Sequence, residues 1–210
     1  SILSSTRAIC HDFGRGNREV AEAIRGRENL FGFVFLNPNY VSESFEEMER
    51  HLGDDRFVGL GELYHRGYIG KQTIDCEGHR QFLERLVERF SQRLVLFHCP
   101  GDGIERVLAL AKEFPDLTFI AGHMGGDDYE RAAVRFREVD NVYLEICSSS
   151  PDRGKIETVV REIGSERVVF GSDSTLLNPA VLLGMVVDSE ISDEDKERIL
   201  YSNARGFLER

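Results

Sequence analysis

RLVLFHCPGDGIERVLALAKEFPDLTFIAGHM, residues 93–124, reads as strand, helix, strand. Its outer parts, RLVLFHC and LTFIAGHM, are runs of Val, Leu, Ile and Phe that start among polar residues and stop at His98 and His123. Between them IERVLALAKEF places Ile104, Val107, Leu108, Ala111 and Phe114 on one helical face. Strand runs this apolar, separated by amphipathic helices, predict parallel strands buried on both faces. In that architecture the strand ends share one rim, where chemistry is usually found.

The same pattern extends along the chain. A third run, RVVFGSD (167–173), ends on Asp173. His98 and His123 are 25 residues apart, and Asp173 follows 50 residues later, which leaves room for one more strand–helix unit. Seven such units can be read, with strands at 2–10, 30–37, 57–63, 93–99, 117–124, 141–147 and 167–173. The helices are predicted at 17–26, 42–52, 77–91, 103–114, 127–138, 153–164 and from 179 onward. Ser42, Asp102 and the Ser192/Asp195 capping box mark helix starts. No GxGxxG is present: Gly14-Arg15-Gly16 continues into Asn17-Arg18-Glu19. Regular repeats with polar strand ends favour a closed (β/α) barrel over an open doubly wound sheet. A barrel of eight units typically takes about 250 residues. These 210 residues hold seven units, so the expectation is an α/β, TIM-type (β/α)8 barrel missing its first β/α unit. No linker interrupts the series, and 1–210 reads as a single domain, N-terminally incomplete.

Composition narrows the partners. A net charge of -11 and a pI near 5.1 argue against a nucleic-acid partner. No apolar stretch approaches the ~18 residues of a membrane span, which argues against a membrane partner. Cys10, Cys76, Cys99 and Cys147 form no CxxC; Cys10, Cys99 and Cys147 end strand-like runs, as small buried apolar groups do. A reducing, cytoplasmic setting is expected. An incomplete ring exposes strand edges, so a homo-oligomer is expected as well.

Seven residues carry candidate chemistry. His98, at a strand end before Pro100-Gly101, is placed to bind zinc or a similar ion. His123, among Gly122, Gly125 and Gly126, can bind a metal, activate water or hold a substrate carboxylate. Asp173 ends too apolar a run to stay unpaired; it meets a metal, a histidine or several donors, or it caps a helix. Glu62 in VGLGELY is a candidate metal ligand or acid/base group, whereas Glu145 in VYLEIC equally fits a structural pair with an arginine. His65 and Arg66, beside Lys71, are candidate substrate contacts.

FHCPGDG, FPDLTFIAGHMGG, NVYLEICSS, RVVFGSDS and ILYSNARGFLE, in this order, resemble the amidohydrolase superfamily, in its amidohydrolase-related branch. GNREVAEAI and FLNPNY are more loosely similar to the earlier part of the same branch. The resemblance implies a (β/α)8 barrel with a divalent ion at its C-terminal rim, zinc in the first instance, with manganese or iron also compatible. It further implies that His98 binds the metal, that Asp173 binds it and shuttles a proton, and that His123 activates water or contacts a small-molecule substrate. GLGELY is similar to a strand-four motif of TatD-like nucleases, which adds Glu62 to the metal ligands. The implied activity is hydrolysis of a C–N or C–O bond through metal-activated water, with decarboxylation as a variant of the same site. The family's first-strand H-x-H occurs nowhere in this sequence, and the first strand here matches the family's second. The alternative is therefore a non-catalytic relative that binds a small molecule or forms an assembly.

Overall fold

A computed structural model describes residues 1–64, 70–148, 150 and 152–209. Seven strands alternate with helices among them: β1 (Ile2–Leu3), β2 (Phe31–Val34), β3 (Phe57–Leu63), β4 (Leu94–His98), β5 (Thr118–Gly122), β6 (Val142–Glu145) and β7 (Val168–Val169). The helices are α1 (Thr6–Cys10), α2 (Phe13–Ile24), α3 (Val41–His51), α4 (Glu77–Arg89), α5 (Gly103–Glu113), α6 (Tyr129–Phe136), α7 (Lys155–Ile163), α8 (Pro179–Val187), α9 (Asp193–Glu197) and α10 (Asn203–Leu208). The chain divides into two compact units. One is Ser1–His98 with Glu113–Phe119, the other Cys99–Lys112 with Ile120–Arg210.

In the first unit the strand order is β1-β2-β3-β4, all pairs parallel. β2, β3 and β4 are buried on both faces, as Phe33, Val34, Phe57, Leu60, Leu63, Val95 and Phe97 show. Gly59 is required by the close approach of β3 to β4, since a Cβ there would stand 1.9 Å from the Leu94 carbonyl oxygen. Two steps further the register slips: Leu60 pairs with Val95 but Leu63 pairs with Phe97. Such a slip bends a strand and redirects a side chain, and Glu62 sits inside it. A buried polar network fixes the other side of this unit. Asn17 of α2 donates to the Phe35 carbonyl and to Glu47 of α3, and accepts the Phe35 N–H.

In the second unit the end of β5 (residues 120–122) is followed in order by β6 and β7, the last two parallel. Their short length is compensated from the C-terminal tail. The Phe170 N–H donates to the Ile199 carbonyl, and Asn203 donates to the carbonyls of Ser165 and Val168. On α5, Ile104, Val107, Leu108 and Ala111 are buried as the periodicity predicts, and Phe114 just past the helix is half-buried. The fold class is thus α/β of the TIM-barrel type, in seven strand–helix units.

Several sequence expectations are corrected. The run 2–10 is strand only at Ile2–Leu3, because Ser5 accepts the Ala8 N–H and starts α1, where Cys10 is exposed. Ser42 does not cap α3; that helix starts from Tyr40, and nearby Ser44 bonds with Asn37 instead. The 117–124 run stops at Gly122, and 167–173 is strand only at Val168–Val169. Ser192 does cap α9, through the Asp195 N–H at 3.1 Å.

His79, on α4, is fully buried, with Nδ1 2.9 Å from the Ile74 carbonyl and its ring edge-on to Phe97. Burial pushes its pKa down to about 4. The folded state therefore holds it neutral while the unfolded chain protonates near 6.5. Stability from this residue is complete above pH 6.5 and is lost as pH falls toward 4, on the order of 3 kcal/mol in all. Urea unfolding at a series of pH values is expected to show this loss, and His79→Leu should flatten the slope by up to about 1.4 kcal/mol per pH unit. An unchanged slope in the variant would remove His79 from the account.

Candidate functional site

In the first unit two sequence-predicted residues meet. Glu62, buried in the register slip of β3, brings Oε1 to 3.0 Å from Nδ1 of His98, the last residue of β4. A carboxylate at this distance favours the proton on Nδ1 and leaves the lone pair on Nε2, the form in which imidazole binds a metal. The ring of Tyr64 stacks on His98 with centroids 4.2 Å apart and planes 15° from parallel. Tyr64 follows β3 directly, so two residues of one strand end fix the imidazole in both proton position and plane. Tyr64 was not legible as a site residue, since an aromatic after GLGEL carries no signal of what it will face.

In the second unit the strand ends carry the rest. His123 follows β5 with φ 64°, the start of a left-handed run through Met124, Gly125 and Gly126. Asp173, after β7, has φ 45°. Non-glycine residues rarely occupy this region, and such backbone is concentrated at functional sites. Asp173 does not cap a helix: its carbonyl accepts the N–H groups of Leu176 and Leu177, and Asn178 caps α8.

Glu145, the last residue of β6, joins these pieces through the backbone. Its Oε2 accepts the His123 N–H at 3.1 Å and its Oε1 accepts the Cys147 N–H at 2.8 Å. Two backbone donors are thus among the partners of this carboxylate, for which sequence had suggested an arginine. Gly171 makes room for this carboxylate, since a Cβ at 171 would stand 1.8 Å from Glu145 Oε1.

Cys147 is buried, and its sulfur lies within 4.8 Å of a ring nitrogen of His123. Burial pushes that thiol up; His123 opposes the shift, and Glu145 and Asp173 add to it. Donor atoms of His123, Glu145 and Cys147 all lie within 4.8 Å of one another. From sequence Cys147 reads as a small apolar group; its position two residues past Glu145 at a strand end was the available signal.

Lys155 was also missed. It opens α7, is completely buried, and donates to Ser148 Oγ at 3.0 Å and to the carbonyls of Ser150 (3.3 Å) and Gly126 (3.4 Å). The loops after β5 and β6 are thereby tied to one ammonium, which also sits 4.8 Å from the Tyr129 ring centre. Nothing in the sequence distinguishes this lysine from solvated ones. His65 and Arg66, the expected substrate contacts, lie outside the described residues.

Imidazole nitrogen, carboxylate oxygen and a thiol are all ligands of divalent cations, so the donor chemistry of each unit fits such an ion. A family model described as amidohydrolase matches residues 4–210, and the chain belongs to that family. A comparison with curated proteins finds no match.

Among solved structures the chain is similar to 2,6-dihydroxybenzoate decarboxylase from Rhizobium, with TM-score 0.77 and 20% identity over 99% of this chain and 83% of that one. It is similar to a dihydroxybenzoic acid decarboxylase from Polaromonas with bound manganese, with TM-score 0.69 and 17% identity over 99% and 78%. A third is 5-carboxyvanillate decarboxylase from Sphingomonas paucimobilis, with TM-score 0.74 and 13% identity over 99% and 77%. At these identities the likeness shows the fold. No helix among the described residues is long and apolar enough to cross a membrane.

Replacing Glu145 by alanine leaves two N–H groups without their acceptor, at roughly 1–3 kcal/mol for each one left buried and unsatisfied. Glu145→Ala is therefore expected to lower unfolding stability and to speed hydrogen exchange at the amides of His123 and Cys147. Glu145→Gln, which keeps one acceptor oxygen, should fall between. Unchanged exchange at both amides in the alanine variant would mean the carboxylate does not hold them.

Proposed function

We propose that this chain is a divalent-metal-dependent enzyme that decarboxylates a small aromatic or unsaturated acid without an oxidant. The observation that carries the metal-dependent part is the Glu62–His98 hydrogen bond, which prepares one imidazole nitrogen for a cation. The choice of decarboxylation is supported by the solved relatives, three of which are decarboxylases of hydroxylated or methoxylated benzoates by name. The ligands proposed are those supplied by the resemblance, His98 and Asp173, with Glu62 either binding directly or orienting His98. Zinc and manganese are both compatible with the donors, and manganese is the ion named in the Polaromonas structure.

A divalent ion supplies Lewis acidity that holds and neutralises substrate oxygens. The chain's own groups handle orientation and the proton. His123 orients a substrate oxygen through its imidazole. As the C–CO2 bond breaks, CO2 leaves and the ring carbon takes a proton, which Asp173 delivers. Hydrolysis is the second reading, favoured by the description of the matched family. There Asp173 takes the proton of the attacking water and returns it to the leaving nitrogen or oxygen. The partner in either case is a small molecule. A reducing, cytoplasmic setting is supported by four free thiols. Self-association is supported by Leu176, Val181, Leu183 and Val187, exposed apolar residues on and before α8. Light scattering is expected to give a mass above the 23.9 kDa of one chain; a monodisperse monomer would remove that part.

The purified chain, supplied in turn with zinc and manganese, is expected to release CO2 from a panel of dihydroxybenzoates. Asp173→Asn should reduce the rate by roughly 10²–10⁴, and Glu62→Gln by about 10–100-fold through metal affinity. Hydrolysis of lactone or amide substrates without CO2 release would select the second reading. Neither activity with either ion would favour a non-catalytic binding protein.

A further inference from the structure

We propose that His123, Glu145 and Cys147 form a cation site within the second unit, in which a cysteine thiolate gives the protein a preference for zinc-class ions over manganese. The inference rests on the metal dependence proposed above, places the ion on a donor set of the second unit and assigns His123 to that ion instead of to substrate. Its ground is geometric: one donor atom from each side chain lies within 4.8 Å of the other two. Tetrahedral zinc binds Cys sulfur at about 2.3 Å and His nitrogen at about 2.0–2.1 Å, which puts neighbouring ligand atoms at separations of this order.

Two features hold the donors in place before any ion arrives. Glu145 accepts the backbone N–H of both residues that carry the other two donors, at 3.1 and 2.8 Å. A carboxylate oxygen can accept an N–H and bind a cation at the same time, since it carries more than one lone pair. Gly171 leaves the space that the carboxylate occupies. Lys155 ties the loops on which His123 and Cys147 stand, through Gly126 on one side and Ser148 and Ser150 on the other.

The donor set decides the ion. Oxygen and imidazole alone serve manganese, iron or zinc, whereas a thiolate selects softer ions and disfavours manganese. Three protein donors also leave the fourth tetrahedral position open, as catalytic zinc sites do. Binding displaces the Cys147 thiol proton, which is released to solvent.

The test is cobalt(II) titration of the purified full chain, followed in the visible and near ultraviolet. The expected result is visible cobalt bands together with a sulfur-to-cobalt charge-transfer band. That band should vanish in Cys147→Ser and persist in Cys99→Ser, which removes the other buried thiol. Visible bands with no charge-transfer band in the wild-type chain would overturn the sulfur ligand and leave metal dependence standing. No cobalt bands at all would overturn both. Persistence of the charge-transfer band in Cys147→Ser would also overturn it. Where Cys147→Ser does not fold, X-ray absorption of a zinc-loaded chain carrying C10S, C76S and C99S replaces it. A sulfur scatterer at about 2.3 Å is then expected, and a shell of nitrogen and oxygen alone overturns the proposal.

Discussion

Glu145 is a carboxylate at the end of a short strand, and the rim of the second unit depends on where its two oxygens go. A carboxylate in such surroundings is costly unless its lone pairs are used. Here they accept one N–H from the residue after β5 and one from the loop after β6. The left-handed turn at His123 and the path of the chain through Cys147 are both fixed to one side chain. That anchoring lets a turn of rarely populated backbone persist, and the same turn presents an imidazole beside a thiol.

The first unit solves a similar problem differently. Glu62 also lies in a strand and also serves a histidine at a strand end. It contacts the imidazole ring itself, at Nδ1, where Glu145 contacts the histidine backbone. The register slip between Leu60 and Leu63 re-aims Glu62, with Gly59 permitting the tight approach of β3 to β4 just before it. One carboxylate therefore sets a protonation pattern and the other sets a main-chain path. Both roles follow from the same requirement, that a carboxylate placed in a strand find donors.

Much of this was legible in the residues. The apolar runs ending at His98 and His123 identified β4 and β5, because buried parallel strands need apolar side chains on both faces and tolerate polarity only at their ends. The helix at Gly103–Glu113 followed from its period. Less legible were features that depend on side chains meeting across the fold. The 2–10 run is apolar enough for a strand, yet the Ser5 hydroxyl finds the Ala8 N–H and turns it into a helix. Cys147 has the composition of a core residue, and only the fold brings its thiol beside the His123 ring and the Glu145 carboxylate. Lys155 is indistinguishable in sequence from the solvated lysines until three acceptors close around it.

Gly171 couples two positions that are far apart in sequence. With a Cβ standing 1.8 Å from the Glu145 carboxylate, a larger residue at 171 would require that side chain to move. Because the same carboxylate accepts the N–H groups of His123 and Cys147, the displacement would reach the backbone of both, so the absence of a side chain at 171 is felt two strand ends away.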